Sequence, residues 1–242
     1  MKIAGTTALV TGANRGIGKA LVEALLQAGA AKIYAATRDG VAAFPGNARL
    51  VPLTLDITKP AQVAAAVQAA GDVHVLINNA GVNRNAGLLH AASLDGARAE
   101  METNYFGTLA MCRAFAPVLA RSGGGAIVNI LSIAARVNLP FMGSLCASKA
   151  AGLSMTQGVR AELAKSGTRV VAVMPGAVDT RMTAGVDVPK MQPADVARAV
   201  LEALEAGQED IYPGDMASGM AAGLAADPKA VEKQCAAYLP RQ

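Results

Sequence analysis

Eight consecutive residues, Thr11-Gly12-Ala13-Asn14-Arg15-Gly16-Ile17-Gly18, carry the densest chemical pattern in the chain. They end one aliphatic run and open an amphipathic one. Gly12 can support a tight turn, and Gly16 and Gly18 remove side chains where a phosphate and the adjoining strand come close. The free N–H groups of the helix start then face a pyrophosphate. A glycine trio alone is weak evidence; set between a strand and a helix it is much stronger. Arg15 lies inside this turn, and Arg38 follows the second aliphatic run in Ala35-Ala36-Thr37-Arg38-Asp39. Two guanidiniums can bracket a 2′-phosphate through charge-assisted bonds. Thr37 stands where a carboxylate would otherwise bind a ribose diol. The pattern favours NADP(H), with NAD(H) as the alternative if Asp39 reaches the ribose.

Two further groups extend this site. Asp56-Ile57 follows the third aliphatic run, so Asp56 can accept from an adenine amino group with Ile57 packed nearby; a turn or helix cap is its structural alternative. Asn78-Asn79-Ala80-Gly81 closes the fourth run. The Asn side chains can fix a tight loop, and Ala80 and Gly81 let a cofactor pass close to the backbone. A purely structural Asx turn is the alternative there.

The elements that must position these residues alternate. Strands are expected at Thr7–Thr11, Lys32–Thr37, Ala48–Thr54, His74–Ile77, Ala126–Leu131, Arg169–Met174 and Asp210–Tyr212. Helices are expected at Gly16–Ala28, Pro60–Ala70, Gly96–Arg121, Leu145–Lys165 and Pro193–Glu205. The strands are nearly continuous aliphatic runs, which favours a parallel sheet covered on both faces. The expected class is α/β: a doubly wound Rossmann fold with a mostly parallel seven-stranded sheet between helices. One domain spans 1–242, with a short substrate loop at 182–192. The Gly-, Met- and Ala-rich extension 213–242 has no assignable pattern.

Composition limits the alternatives. Hydrophobic residues make up 52% of the 242, enough for a large, mainly aliphatic core. The net charge of +4 is scattered, without the basic stripe of a nucleic-acid binder. Cys112, Cys146 and Cys235 are widely spaced, and with His74 and His90 they suggest neither a disulfide framework nor a metal site. No signal peptide or apolar run of membrane-spanning length is seen. A cytoplasmic setting, without membrane or nucleic-acid partners, is the expectation.

The ordered set of the glycine turn, Asp56, Asn78-Asn79-Ala80-Gly81, Asn104, Ser132, Lys149 and Pro175-Gly176 resembles the classical short-chain dehydrogenase/reductase family over about residues 4 to 213. That resemblance implies a homodimer or homotetramer that interconverts alcohols and carbonyls with NAD(H) or NADP(H). It implies that Asn104 holds a water in a proton relay and that Ser132 hydrogen-bonds the substrate oxygen. Lys149 would bind the nicotinamide ribose and lower the pKa of a catalytic phenol. Pro175, Gly176 and Thr180 would border the nicotinamide, with Thr180 on its carboxamide.

The family's tyrosine should stand four residues before Lys149, and Leu145 stands there. The step from Ser132 to Leu145 is also the family's usual serine-to-tyrosine spacing, which argues against an alignment slip. Leucine has no proton to give. Ser144, Cys146 and Tyr105 do not recreate the geometry, so a water ordered by Ser132 and Lys149 is the best surrogate acid. Ala134, Ala135, Leu139, Phe141, Met142, Leu145 and 182–191 would form a mostly apolar substrate wall, with Asn83 and Asn85 as further contributors. The leading expectation is an NADP(H)-dependent oxidoreductase for ketones and secondary alcohols, a Tyr-to-Leu variant with reduced or altered activity. A reductase of imines or activated alkenes with a natural Leu145, and an inactive cofactor-binding regulatory or scaffold protein, are the alternatives.

Overall fold

The computed structural model describes residues 1–40, 46–85 and 87–239. Seven strands, β1 (Thr7–Thr11), β2 (Lys32–Thr37), β3 (Leu50–Thr54), β4 (Val75–Asn78), β5 (Gly125–Ile130), β6 (Thr168–Val173) and β7 (Asp210–Ile211), form one sheet in the order β3-β2-β1-β4-β5-β6-β7. All six pairings are parallel. The helices are α1 (Gly16–Gln27), α2 (Pro60–Ala69), α3 (Asp95–Glu100), α4 (Thr108–Arg121), α5 (Gly143–Leu163), α6 (Pro193–Ala206), α7 (Asp215–Ala226) and α8 (Pro228–Cys235).

Both faces of the sheet are covered, which explains the unbroken aliphatic runs. Ala8 and Val10 of β1 face a core shared with Leu21 and Leu25 of α1 and Val196 and Val200 of α6. Leu9 points the other way, into a core with Val63 of α2 and Met111 and Phe115 of α4. Successive strands are added on one side of β1 up to β3 and on its other side from β4 onward. That switch point leaves a crevice beyond the strand ends, where the sequence places the glycine turn.

The structure corrects the single helix expected over Gly96–Arg121. A π-helical turn, Met101–Gly107, separates α3 from α4. Asn104 sits inside it, and its side chain bonds to other segments. Helix α5 starts at Gly143, two residues before Leu145, so Leu145 is seated in its first turn. Pro52 is tolerated in β3 because β3 is an edge strand pairing with β2 alone. The unassigned extension folds as α7 and α8. Their cover is Val137 packed with Val231 and Cys235, and Leu139, Met220 and Leu224 against them. Residues 240–242 of that predicted extension lie outside the described residues. Among the described residues no helix is long and apolar enough to cross a membrane.

Candidate active site

The ends of β1 and β4 are tied by side chains that the glycine pattern requires. Thr11 Oγ1 accepts the N–H groups of Asn79 at 2.9 Å and Ala80 at 3.0 Å. Asn79 Nδ2 donates back to the carbonyls of Thr11 at 2.9 Å and Gly12 at 3.2 Å. Gly12 has φ +65° and Gly16 has φ +52°, the left-handed region that glycine enters freely. A Cβ on Gly18 would stand 2.1 Å from the Gly12 carbonyl oxygen, so α1 packs there against bare backbone. A Cβ on Gly16 would stand 3.1 Å from Thr180 Cγ2, which brings Thr180 over the start of α1. Ile17 is half-buried and packs against the core that α1 shares with β1.

A cavity of about 380 Å³ opens beside this turn. Gly12, Asn14, Arg15, Thr37, Arg38, Asp56, Ile57, Ala80 and Gly81 line it together with Asp39, Arg84 and Glu102. Asp56 Oδ1 accepts both the amide and the hydroxyl of Thr58, at 3.0 and 2.7 Å, so it does serve as a turn residue. Burial pushes its carboxyl up, but the Thr58 bonds and the charges of Arg38 and Lys59 outweigh it and hold the pKa below the ordinary value. Asp56 thus stays anionic at neutral pH, with acceptor capacity beyond its Thr58 bonds. Thr37 Oγ1 is buried and has no hydrogen-bond partner among the described residues. An orphaned hydroxyl on a cavity wall, glycines where side chains would clash, and guanidiniums on the same wall fit a phosphorylated dinucleotide.

The second half of the site lies on the turn 101–107, β5 and α5. Asn104 Oδ1 accepts the Val82 amide and Nδ2 donates to the Val82 carbonyl, both at 2.9 Å. Nδ2 also donates to Ser148 Oγ at 2.9 Å. Both N–H groups of Asn104 are therefore committed, leaving one Oδ1 lone pair for a water. A Cβ on Gly81 would stand 3.2 Å from that Oδ1 and 3.7 Å from Lys149 Nζ. Gly81, Asn104 and Lys149 thus meet at one point. Ser132 Oγ accepts the Ala134 amide at 3.1 Å, which caps the turn Ile133–Ala135. Its own O–H has no acceptor among the described residues. Pro175 is tied in by its carbonyl, which accepts the Ile133 amide at 2.9 Å; Met216 of α7 crowds Gly176.

Leu145 is buried, one helical turn from Lys149 on α5. Ser148, and Asn129 and Thr156 of the polar core behind the strands, were not singled out by sequence reasoning. Asn78 Nδ2 donates to Asn129 Oδ1, and Asn129 Nδ2 donates to Thr156 Oγ1, each at 2.9 Å. This chain ties β4 and β5 to α5 and so fixes the helix bearing Leu145 and Lys149. Cys146 points away, its Sγ accepting the Leu139 amide at 3.3 Å. Leu139 packs toward α8, and the Phe141 amide donates to the Tyr238 carbonyl at 3.0 Å. Part of the expected substrate wall is therefore fastened under the C-terminal helices.

Lys149 Nζ donates to the Ile130 carbonyl at 2.9 Å, and burial pulls its pKa from 10.5 down to about 8. The folded value lies below the unfolded one. Between those two values the unfolded chain holds a proton that the folded chain has released. This group therefore makes stability rise with pH across that window. Urea unfolding at about pH 7.5 and about pH 9.5 checks the sign. The chain should gain stability relative to Lys149→Met at the higher pH; an equal change in both would contradict it.

A parallel sheet with a glycine-cradled cavity at its switch point, and a Ser, Asn and Lys set beside it, defines a dinucleotide-dependent oxidoreductase domain. Residues 6–190 match the family described as short chain dehydrogenase, and the chain belongs to that family. It is similar to a short chain dehydrogenase of Burkholderia cenocepacia solved in complex with NADP, with 52% identity and a TM-score of 0.94 over 97% of this chain and 99% of that one. It is 33% identical over 226 residues to the ketoacyl reductase HetN of a Nostoc species, covering 84% of this chain and 76% of that protein. It is 34% identical over 205 residues to the 2-(R)-hydroxypropyl-CoM dehydrogenase of Xanthobacter autotrophicus, covering 79% and 82%.

Proposed function

We propose that the chain is an NADP(H)-dependent oxidoreductase whose site is built for ketone and secondary-alcohol substrates, and that Leu145, in the position of the family's tyrosine, leaves it with reduced or altered activity. The observation that carries this reading is the intact setting of Leu145. Ser132 keeps a free O–H, Lys149 is anchored one turn away, and Asn104 is locked beside it.

NADPH, when bound, supplies a hydride from nicotinamide C4. Arg15 and Arg38 provide the charge for its 2′-phosphate, the N–H groups opening α1 take the pyrophosphate, and Asp56 with Ile57 holds the adenine. Lys149 binds the nicotinamide ribose and Thr180 the carboxamide. Ser132 orients the substrate oxygen with its O–H. A water between Lys149 and Asn104 delivers the proton, and its weaker acidity than a lysine-paired phenol accounts for slow ketone reduction. The relatives named for a ketoacyl reductase and a hydroxypropyl-CoM dehydrogenase support carbonyl and alcohol chemistry here.

A second reading is favoured by the burial of Leu145, 5% exposed, as apolar wall. A cationic iminium accepts hydride without a proton, so this wall suits reduction of imines, and an activated alkene is a related substrate. The product would be a homodimer or homotetramer's work in either case, with α4 and α5 as the proposed assembly face; light scattering reads the mass.

Nucleotide preference tests the cofactor assignment. The chain has no Trp, so calorimetry suits the measurement. NADPH should bind more tightly than NADH, and Arg38→Ala should cost NADPH roughly ten- to a hundred-fold while sparing NADH. Equal affinity for both nucleotides would overturn the assignment of the 2′-phosphate to Arg15 and Arg38.

A further inference from the structure

Three guanidiniums line the nucleotide cavity, and the function above uses two. Arg84 is the third. None of Arg15, Arg38 and Arg84 takes part in a salt bridge among the described residues, whereas Arg98, Arg160 and Arg198 elsewhere do. Sheet order separates the three. Arg38 follows β2 and Arg84 follows β4, so they flank β1 on opposite sides. Arg84 lines the cavity together with Ala99, Glu102 and Thr103 of the helical segment 95–107. The Asp56-Ile57 segment leans toward that side: a Cβ on Gly107 would stand 2.8 Å from Ile57 Cγ1.

The loop bearing Arg84 is held with unusual care. Asn104 grips Val82 by both its amide and its carbonyl. One α-helical turn earlier in the chain, Glu100 accepts the Arg84 amide on Oε1 at 2.6 Å. Glu100 is fully buried, and its Oε2 has no partner among the described residues. An incompletely bonded buried carboxyl is costly to keep, so its one bond calls for a reason. Asn85 follows in the left-handed region, with φ +50°, and its amide donates to Asn83 Oδ1 at 2.7 Å. The backbone on each side of Arg84 is thereby fixed, while its side chain stays exposed and has no ion-pair or hydrogen-bond partner among the described residues.

We propose that Arg84 is a cofactor-binding residue that closes the adenine end of the cavity, and that Glu100 is the positioning residue that aims it through the Arg84 amide. A guanidinium plane lies favourably over a purine ring and needs no 2′-phosphate. Its contribution is therefore common to NADPH and NADH, unlike that of Arg38. This assignment rests on the dinucleotide reading of the cavity and adds a residue to it.

Calorimetric titration of the full chain with NADPH and with NADH tests it. Arg84→Ala should weaken both by about tenfold and leave their ratio unchanged. Glu100→Leu should do the same to the chain and add nothing in the Arg84→Ala background, because its effect runs through Arg84. Glu100→Gln keeps an acceptor for the Arg84 amide and should restore binding. Unchanged affinities in Arg84→Ala would overturn the proposal. So would a loss confined to NADPH, which would make Arg84 a phosphate contact. Additive losses in the double variant would remove Glu100 from it. If the unsubstituted chain bound neither nucleotide, the dinucleotide reading itself would fail, a result distinct from all of these. Arg84 is exposed, so its substitution leaves the fold intact and the test readable.

Discussion

Leu145→Tyr should raise NADPH-dependent reduction of a ketone by about 10²–10⁴-fold, the usual worth of a positioned general acid. The reason is the geometry kept around the residue. Lys149 is one turn away on α5, on the same helical face, with its Nζ held 2.9 Å from the Ile130 carbonyl. Placed beside that ammonium, a phenol is stabilised as phenolate and becomes a competent acid near neutral pH. The change should fall on kcat, while the NADPH dissociation constant stays within about twofold, because Leu145 is not among the residues that line the cavity proposed for the adenine and phosphates. Rapid-mixing measurement of nicotinamide absorbance, beside calorimetry of NADPH, separates the two quantities. A weakened cofactor affinity with no gain in kcat would show that the leucine is required to shape the site.

Gly18→Ala should abolish measurable NADPH binding. Helix propensity points the other way, since alanine is favoured over glycine by about 1 kcal/mol inside a helix. The clash decides against it. The new Cβ would stand 2.1 Å from the Gly12 carbonyl oxygen and 2.5 Å from Asn79 Nδ2. One of these atoms is backbone and the other is bonded to the Thr11 and Gly12 carbonyls, so neither yields without moving the turn. Overpacking of this kind costs about 1–3 kcal/mol of stability, in addition to the lost phosphate cradle. Gly219→Ala on α7, away from the proposed assembly face, is the matching control. Nothing stands within 4 Å of its new Cβ, so it should stabilise by roughly 0.5–1 kcal/mol and leave NADPH binding unchanged. Urea unfolding and calorimetry of the two variants would show the contrast; a Gly18→Ala chain that binds NADPH normally would contradict the account of the turn.

Much of the architecture could be read from the sequence because buried parallel strands leave an unmistakable trace. Runs such as Ile127-Val128 and Val170-Val171 face helices on both sides and tolerate little else. The glycine turn was equally readable, since its spacing answers to backbone contact at Gly12 and Gly18. What escaped was carried by side chains acting at a distance along the chain. The π-helical turn at 101–107 lies in a segment whose periodicity is ordinary, and within it Asn104 reaches Val82 and Ser148. Glu100 carries no signal in the sequence, yet it is fully buried and accepts the Arg84 amide. Asn129 interrupts an aliphatic strand without announcing Thr156 as its partner. The extension after Pro213 showed no period because α7 is mostly Ala, Gly and Met, and its packing against Val137 and Leu139 involves distant residues.

The central claim is that the cofactor half of this site is complete and that the acid half is replaced by leucine. The most direct measurement is NADPH oxidation by the unsubstituted chain and by Leu145→Tyr, each with one ketone and one cyclic iminium of similar size. The account predicts that the tyrosine raises the ketone rate at least about a hundredfold and the iminium rate far less, because only the ketone needs the proton. Ketone turnover by the unsubstituted chain as fast as by the substituted one would contradict it and make Leu145 part of a different working site.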